Sequence, residues 1–300
     1  MTDIRVKTTA VLVTFHTGPD LFRAIASLCD QEGIFEIVVV NNGNPDHVES
    51  ALTRLSQLNE RVVLVSGHGN IGFAAGCNLG AQRARGEFLL LINPDAVLSA
   101  GGVARMLEDA AELNRPWMLG CRLVNSDGTE QRGGRRELLT PANAVVEGLG
   151  LYRLLPGVFK DRRLNLHQRP LPGKTTEVPA ISGACMMLPL EDYRSIGGMD
   201  EKYFLHVEDL DFCLRFRRSG GRIYFCPDVL LTHEQGSSDV SAVFVEWQKV
   251  RSFRYYFRKH FTARRFDGSI ALVYFCILLR FVVIAALGIL RPGRKSPFHD

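Results

Sequence analysis

The stretch Phe88-Leu89-Leu90-Leu91-Ile92-Asn93-Pro94-Asp95 decides the fold. Five apolar residues in succession, with no polar alternation, read as a strand buried on both faces. The strand stops at Asn-Pro-Asp, a turn cluster. Working backward, Phe73–Arg85 has a helical pattern and Arg61–Ser66 a strand pattern, preceded by helix His47–Leu58 and strand Glu36–Val40. Helix Asp20–Cys29 and strand Thr9–Phe15 complete the series. Apolar strands alternating with helices predict an α/β domain whose parallel sheet is covered on both faces. Such sheets bind ligands at the carboxyl ends of their strands. The polar turns Asn41–Asp46, Gly67–Gly72 and Asn93–Asp95 fall at those ends and are the candidate binding segments.

Working forward, Arg122–Pro179 is rich in Arg, Gly and Pro and only weakly periodic, which predicts long loops with one short helix near Ala142–Leu154. Strand character returns at Val178–Leu188, with Ser182-Gly183-Ala184 inside it. A helix beginning with Glu208, Asp209 and Asp211 follows, then a short strand leading to His233.

Composition narrows the classes. Three hundred residues with 46% hydrophobic content can build a sizeable core, which argues against general disorder. The formal charge of +4 is mild. The seven cysteines (Cys29, Cys77, Cys121, Cys185, Cys213, Cys226 and Cys276) are scattered, odd in number and lack a Cys-x-x-Cys. This disfavours a zinc site or disulfide framework and fits a reducing cytosol. The apolar run Ala10–Val13 is too short for a signal-peptide core and reads as a first buried strand.

Gly67-His-Gly-Asn-Ile-Gly72 matches Gly-x-Gly-x-x-Gly but follows the third strand. A dinucleotide fingerprint belongs after the first, so an NAD oxidoreductase is disfavoured. The three acids separate by their helical neighbours. Asp211 has Arg215 four residues on and can form a local ion pair. Asp209 has Phe212 and Cys213 at those offsets and no local cation. An unpaired carboxylate among acids is expected to have a raised pKa, which suits a general base. The competing reading is three acids favoured by the helix macrodipole.

Trp247–Phe266 carries Lys249, Arg251, Arg254, Arg258, Lys259, Arg264 and Arg265 among aromatics, without an acid. Such a segment suits nucleic acid or an anionic membrane face. The apolar run Ile270–Leu290 that follows favours the membrane. Its central Arg280 handicaps spanning by about 2.5–3.5 kcal/mol on insertion scales, so a shallow or re-entrant placement is expected. An ordinary core helix or subunit interface is the alternative.

These motifs resemble, in order and over Thr9 to Ser238, the inverting family 2 glycosyltransferases, especially the rhamnosyltransferase-like branch. Asn70-Ile-Gly72-Phe73 with Asn78 resembles the Asn-x-Gly-Phe-x-x-x-x-Asn segment, and Pro227 through His233, Gly236 and Ser237 a later one. The resemblance implies a GT-A fold (a Rossmann-like nucleotide-diphospho-sugar transferase) over 1–238, with a C-terminal helical, membrane-associating extension over 239–300. It implies a nucleotide-sugar donor, either dTDP-rhamnose or a UDP-hexose, and a glycan or lipid-linked acceptor at the cytoplasmic face of the membrane. By resemblance Asp209 is the base and Glu208 binds acceptor hydroxyls. Asn41, Asn70, Gly72, Phe73, Asn78, Asn93, Ser182 and Gly183 meet the donor or nucleotide, and Ser182–Ala184 could equally be a packing point. Asp95 and His233 hold Mn²⁺ or Mg²⁺, with the imidazole favouring Mn²⁺. Two departures stand out: Asn41 and Asn93 occupy places where the family carries acids. A non-catalytic nucleotide- or glycan-binding relative is therefore the alternative from another class. Arg132, Arg135, Arg136, Arg162 and Arg163 are read as meeting an acceptor diphosphate or as a solvated basic loop.

Overall fold

The computed structural model describes residues 7–159, 163–233, 241–261 and 268–290. Its first half follows the predicted alternation: β1 (Thr8–Thr14), α1 (Asp20–Cys29), β2 (Ile34–Asn41), α2 (Asp46–Leu58), β3 (Val62–Val65), α3 (Phe73–Arg83) and β4 (Phe88–Ile92). These strands pair in parallel in the order β3-β2-β1-β4. The chain thus winds outward from β1 in both directions, which opens a crevice at the strands' carboxyl ends.

The second half departs from an all-parallel sheet. It comprises β5 (Ala96–Leu98), α4 (Gly102–Ala111), β6 (Trp117–Val124), β7 (Arg135–Arg136), α5 (Pro141–Gly148), α6 (Leu151–Leu154) and α7 (Pro156–Phe159). Then come β8 (Thr176–Glu177), β9 (Ala180–Ile181), β10 (Cys185–Pro189), α8 (Leu190–Ser195), α9 (Glu208–Arg218), β11 (Arg222–His233), α10 (Ala242–Phe261) and α11 (Gly268–Leu290). Strand β10 runs antiparallel between β4 and β6, and β5 runs antiparallel to β11 at the far edge. The reason is where β10 begins. The Ser182–Ala184 turn lies beside the carboxyl end of β4, with Asn93 N–H donating to the Ala184 carbonyl at 3.1 Å, so the chain must run back down the sheet. That turn also splits the single strand predicted over Val178–Leu188 into β9 and β10.

Strand side chains alternate between two cores, as the period of two requires. Val11, Val13, Val38, Val40, Leu89 and Leu91 share one core with residues of α3, α9 and α10. Ala10, Leu12, Ile37, Val39, Leu90 and Ile92 face the other, with residues of α1 and α4. Helix α3 approaches β1 closely through two glycines. A Cβ at Gly76 would lie 2.6 Å from Val13 Cγ1, and one at Gly80 would lie 2.3 Å from Val11 Cγ1.

Helix α10, expected to belong to an appended extension over 239–300, is built into the domain. Tyr256 and Phe257 of α10 are fully buried in the first core. Asp211 of α9, also fully buried, binds α10 through Lys259 Nζ and His260 Nε2, each at 2.7 Å. Among the described residues, no helix is long and apolar enough to cross a membrane.

Candidate active site

The site forms where the carboxyl end of β4, the Ser182–Ala184 turn and the start of α9 meet. Asp209 receives the Gly183 amide on Oδ2 at 3.1 Å and the Leu210 amide on Oδ1 at 2.7 Å. The approach is close: a Cβ at position 183 would lie 3.2 Å from Asp209 Cβ. Sequence reasoning placed no cation beside Asp209, and here the structure corrects it. Arg136 Nη2 makes a short ion pair with Asp209 Oδ2, both side chains being 13% exposed. The partner comes from β7, 73 residues away in the chain, beyond any helical-offset argument. Burial pushes the Asp209 carboxyl up, but Arg136 and the two amides outweigh it and hold the group below its ordinary value. The raised pKa expected for Asp209 is therefore not found.

It is found on Glu208. This side chain is 6% exposed, and its Oε2 has no hydrogen-bond partner among the described residues. Burial, then the charge of neighbouring Asp209, pushes its carboxyl up to about 8. Two residues on, Asp211 is held well below its ordinary value. Burial opposes that shift, and bonds from His260, Lys259 and Arg215 overcome it. The predicted local pair is present, with Arg215 Nε 2.6 Å from Asp211 Oδ2. Three acids on the first turns of α9 thus have three environments: ion-paired at the site, neutral at its wall, and locked into the fold.

The backbone entering α9 is unusual. His206 and Val207 both adopt left-handed conformations, with φ of 66° and 71°. For a β-branched residue this is a strained state. It turns the chain abruptly, so Glu208 and Asp209 start the helix facing a cavity of about 300 Å³. Arg132 and Arg136 also line this cavity, and its apolar wall includes Phe253 of α10 and Val273 and Ile277 of α11.

The expected donor segment divides. Asn70 Oδ1 accepts from Gly72 N–H at 3.0 Å, and Gly72 has a φ of 85°. A Cβ at Gly72 would lie 2.6 Å from the Phe204 carbonyl oxygen, which accepts the Phe73 amide at 2.9 Å. These residues form the intended turn beside the crevice. Asn78 does not face a donor. Its amide nitrogen donates to the Met199 carbonyl and Glu201 Oε1, and its oxygen accepts from Tyr193 Oη and Met199 N–H. With both donors and both lone pairs used, it is a strut between α3 and the loop before α9. Asn41 is similarly committed: its Oδ1 accepts from Gly43 N–H, Asn44 N–H and Asn44 Nδ2 within its own turn. No acceptor capacity remains there for a base. The sequence reading missed the next residue. Asn42 donates to the Gly72 carbonyl at 3.0 Å, and its Oδ1 lies 3.0 Å from His68 Nε2, tying the Asn41–Asp46 and Gly67–Gly72 turns together.

Ser182 Oγ accepts from the Ala184 amide at 3.2 Å, which makes it a former of the turn that positions Gly183. Asn93 and Asp95 lie at the end of β4, as expected from the sequence. Strand register places His233 of β11 opposite Ala96, one residue from Asp95. The shift in register between Cys226 and Leu230 is what re-aims β11 toward that edge. The backbone therefore brings the two expected metal ligands together. The His233 side chain, like Gly236, Ser237, Arg264, Arg265 and the Arg280 side chain, lies outside the described residues. Among those described, no cluster of three or more His, Cys, Asp or Glu could hold a metal alone. One carboxylate and one imidazole fit only a site completed by ligand oxygens and water.

Among the described residues, the arginines of the basic middle loop are engaged by partners within the fold. Arg132 pairs with Glu147 at 2.6 Å and Arg135 with Glu130 at 2.7 Å, while Arg136 meets Asp209. The Arg163 guanidinium lies 4.3 Å from the Tyr152 ring centroid, and Arg162 falls outside the described residues.

Comparison with known proteins accords with this geometry. The family described as "Glycosyl transferase family 2" matches residues 9–193, and "N-terminal domain of galactosyltransferase" matches residues 167–234. The N-acetylglucosaminyl-diphospho-decaprenol L-rhamnosyltransferase of Mycobacterium tuberculosis is 24% identical over 249 residues, covering 76% of each chain. The rhamnosyltransferase WbbL of Escherichia coli is 30% identical over 102 residues, 33% of this chain and 38% of that one. Among solved structures, GalNAc-T7 with UDP, GalNAc and Mn²⁺ has a TM-score of 0.59 at 17% identity, covering 95% of this chain and 57% of that one. The mannosyltransferase PcManGT of Pyrobaculum calidifontis, with GDP-Man and Mn²⁺, has a TM-score of 0.57 at 14% identity, covering 97% and 76%. Those likenesses give the GT-A fold. With a family match over more than half its length, the chain belongs to glycosyl transferase family 2 and is a glycosyltransferase.

Proposed function

We propose that this glycosyltransferase moves a sugar, L-rhamnose as in its named relatives, from a nucleoside-diphosphate donor with inversion to a lipid-linked glycan at the cytoplasmic membrane face. The product would serve cell-surface polysaccharide synthesis. The carrying observation is Asp209, held as a carboxylate at the meeting point of β4, the Gly183 turn and the Glu208 cavity. Its Oδ1 accepts only the Leu210 amide among the described contacts, which leaves a lone pair for an acceptor hydroxyl. Asp209 takes that proton while the hydroxyl oxygen attacks the anomeric carbon. The bond from that carbon to the diphosphate oxygen breaks on the opposite face, and configuration inverts. Glu208, neutral near pH 7, offers an uncommitted hydrogen bond to a second acceptor hydroxyl. A divalent cation held at Asp95 and His233 would supply positive charge for the departing diphosphate. A hexose donor is the second reading, because a relative from Haloferax volcanii is named a hexosyltransferase.

The test is a transfer screen over nucleotide sugars with and without Mn²⁺. Asp209→Asn keeps the fold's amide contacts but loses the charge beside Arg136, so it is expected to fold with a lowered melting temperature and to lose transfer by about 10²–10⁴-fold, the usual share of a general base. Asp211→Asn is expected to lower the melting temperature while keeping transfer. An active Asp209→Asn enzyme would remove Asp209 from the role of base. Chelation by EDTA is expected to abolish transfer and Asp95→Ala to weaken donor binding. Full activity in chelator would show that no metal is needed.

A further inference from the structure

The two C-terminal helices have opposed faces with different chemistry. Their inner faces contribute Lys249, Phe253, Val273 and Ile277 to the wall of the Glu208–Asp209 cavity. The outer face of α11 carries Leu272, Phe275, Leu279 and Val282, spaced three or four apart and 42–61% exposed. A helix stripe of that spacing lies along one side. On α10 the exposed side carries Val243 and Trp247, then Arg251 and Arg254, again one stripe. The helices run antiparallel as a pair: the Trp247 ring lies 5.6 Å from the Phe281 ring, and Tyr274 Oη reaches the Arg254 carbonyl at 3.3 Å. The Tyr274–Arg254 bond places the cationic row of α10 beside the apolar row of α11.

We infer that the outer face of the α10–α11 pair is a docking surface for an anionic lipid leaflet. Phe275, Leu279, Val282 and Trp247 enter the acyl boundary, and Arg251 and Arg254 lie at headgroup level. An apolar row this exposed, next to an acid-free cationic row, matches a leaflet on both counts. A second copy of the chain would bring another row of arginines rather than negative charge. The consequence is specific to this molecule. The same two helices form both the membrane contact and the inner wall of the acceptor cavity, so docking sets the cavity beside the leaflet. The value of that placement for a lipid-linked acceptor rests on the function proposed above, whereas the docking itself does not.

The experiment is sedimentation of the full-length protein with phosphatidylcholine vesicles, with and without phosphatidylglycerol, at low and high salt. Binding is expected only with phosphatidylglycerol and should weaken with salt. Arg251→Gln with Arg254→Gln should weaken it by roughly 30-fold, equivalent to two charges at about 1 kcal/mol each. Phe275→Glu with Leu279→Glu should abolish it. All variants should keep wild-type circular dichroism and wild-type transfer to a short water-soluble acceptor. Undiminished vesicle binding in both double variants would overturn the docking surface. So would a wild-type dimer that binds no vesicles and dissociates in the Phe275/Leu279 variant. Absence of transfer to any soluble acceptor, with vesicle binding as expected, would instead count against the proposed function alone.

Discussion

The acids of α9 show how far neighbours, not residue type, set a carboxylate's behaviour. Glu208 and Asp209 are adjacent, yet one is pushed up to about 8 and the other held down, because only Asp209 meets Arg136. A pH test follows for Glu208. Its folded value is raised from the ordinary 4.5 to about 8, so it binds more protons folded than unfolded between those values. The stability it contributes is fully present below the unfolded value and is lost as pH rises through the folded one. Glu208→Gln, always neutral, escapes this loss. Its melting temperature relative to wild type should therefore climb steadily between pH 5 and pH 8.5. An offset that stays flat with pH would show that Glu208 is not neutral in the folded state. The identity of the acids was legible in the sequence, but their electrostatics were not. Helical offsets found Arg215 for Asp211, whereas Arg136 reaches Asp209 from a two-residue strand in a loop region without periodicity. For Asn41 and Asn78 the motif carried no information on orientation: the Asn41 oxygen is claimed within its own turn, and that of Asn78 by Tyr193 and Met199, 115 and 121 residues on.

At the scale of elements, uninterrupted apolar strands were the readable part. The pattern gave Asp20–Cys29 and Phe88–Ile92 to the residue, because a strand buried on both faces and an amphipathic helix leave opposite signatures. Strand direction left no such mark: β10 is as apolar as β4 but runs the other way because of its entry turn. Nor did the sequence reveal how tightly α3 sits on β1. At Gly80, alanine would gain helix propensity of about 1 kcal/mol. It would also force a Cβ to 2.3 Å from Val11 in a fully packed seam. Overpacking costs typically about 1–3 kcal/mol, so Gly80→Ala should destabilise on balance. A urea melt showing equal or greater stability would mean that α3 can slide on the sheet.

For the whole molecule, composition suggests a change of character after Ser238, yet helix α10 beyond it packs into the domain core. Helix α10 fills the core with Tyr256 and Phe257 and neutralises Asp211 with Lys259 and His260. Removing it uncovers two aromatic sites worth about 1.5–3 kcal/mol each. It also strips partners from a buried carboxylate, at about 3–5 kcal/mol. That sum approaches the stability of an ordinary domain, about 5–15 kcal/mol. A chain ending near Ser238 is therefore expected to be unfolded or aggregated, as judged by circular dichroism and gel filtration. A cooperative melt from that fragment would show that α10 is dispensable. The leaflet docking inferred above therefore cannot be tested by cutting the chain, and surface substitutions on α10 and α11 are the cleaner tool.

The left-handed pair His206–Val207 carries one further implication. Each such residue costs on the order of 1–3 kcal/mol, borne by the fold whether or not a substrate is present. The orientation of Glu208 and Asp209 is therefore settled during folding, and binding an acceptor need not freeze it. In the role proposed for these two acids, preorganisation of this kind moves an entropic cost out of the reaction and into thermal tolerance. The enzyme's margin against heat and the readiness of its acids are then two readings of one local backbone choice.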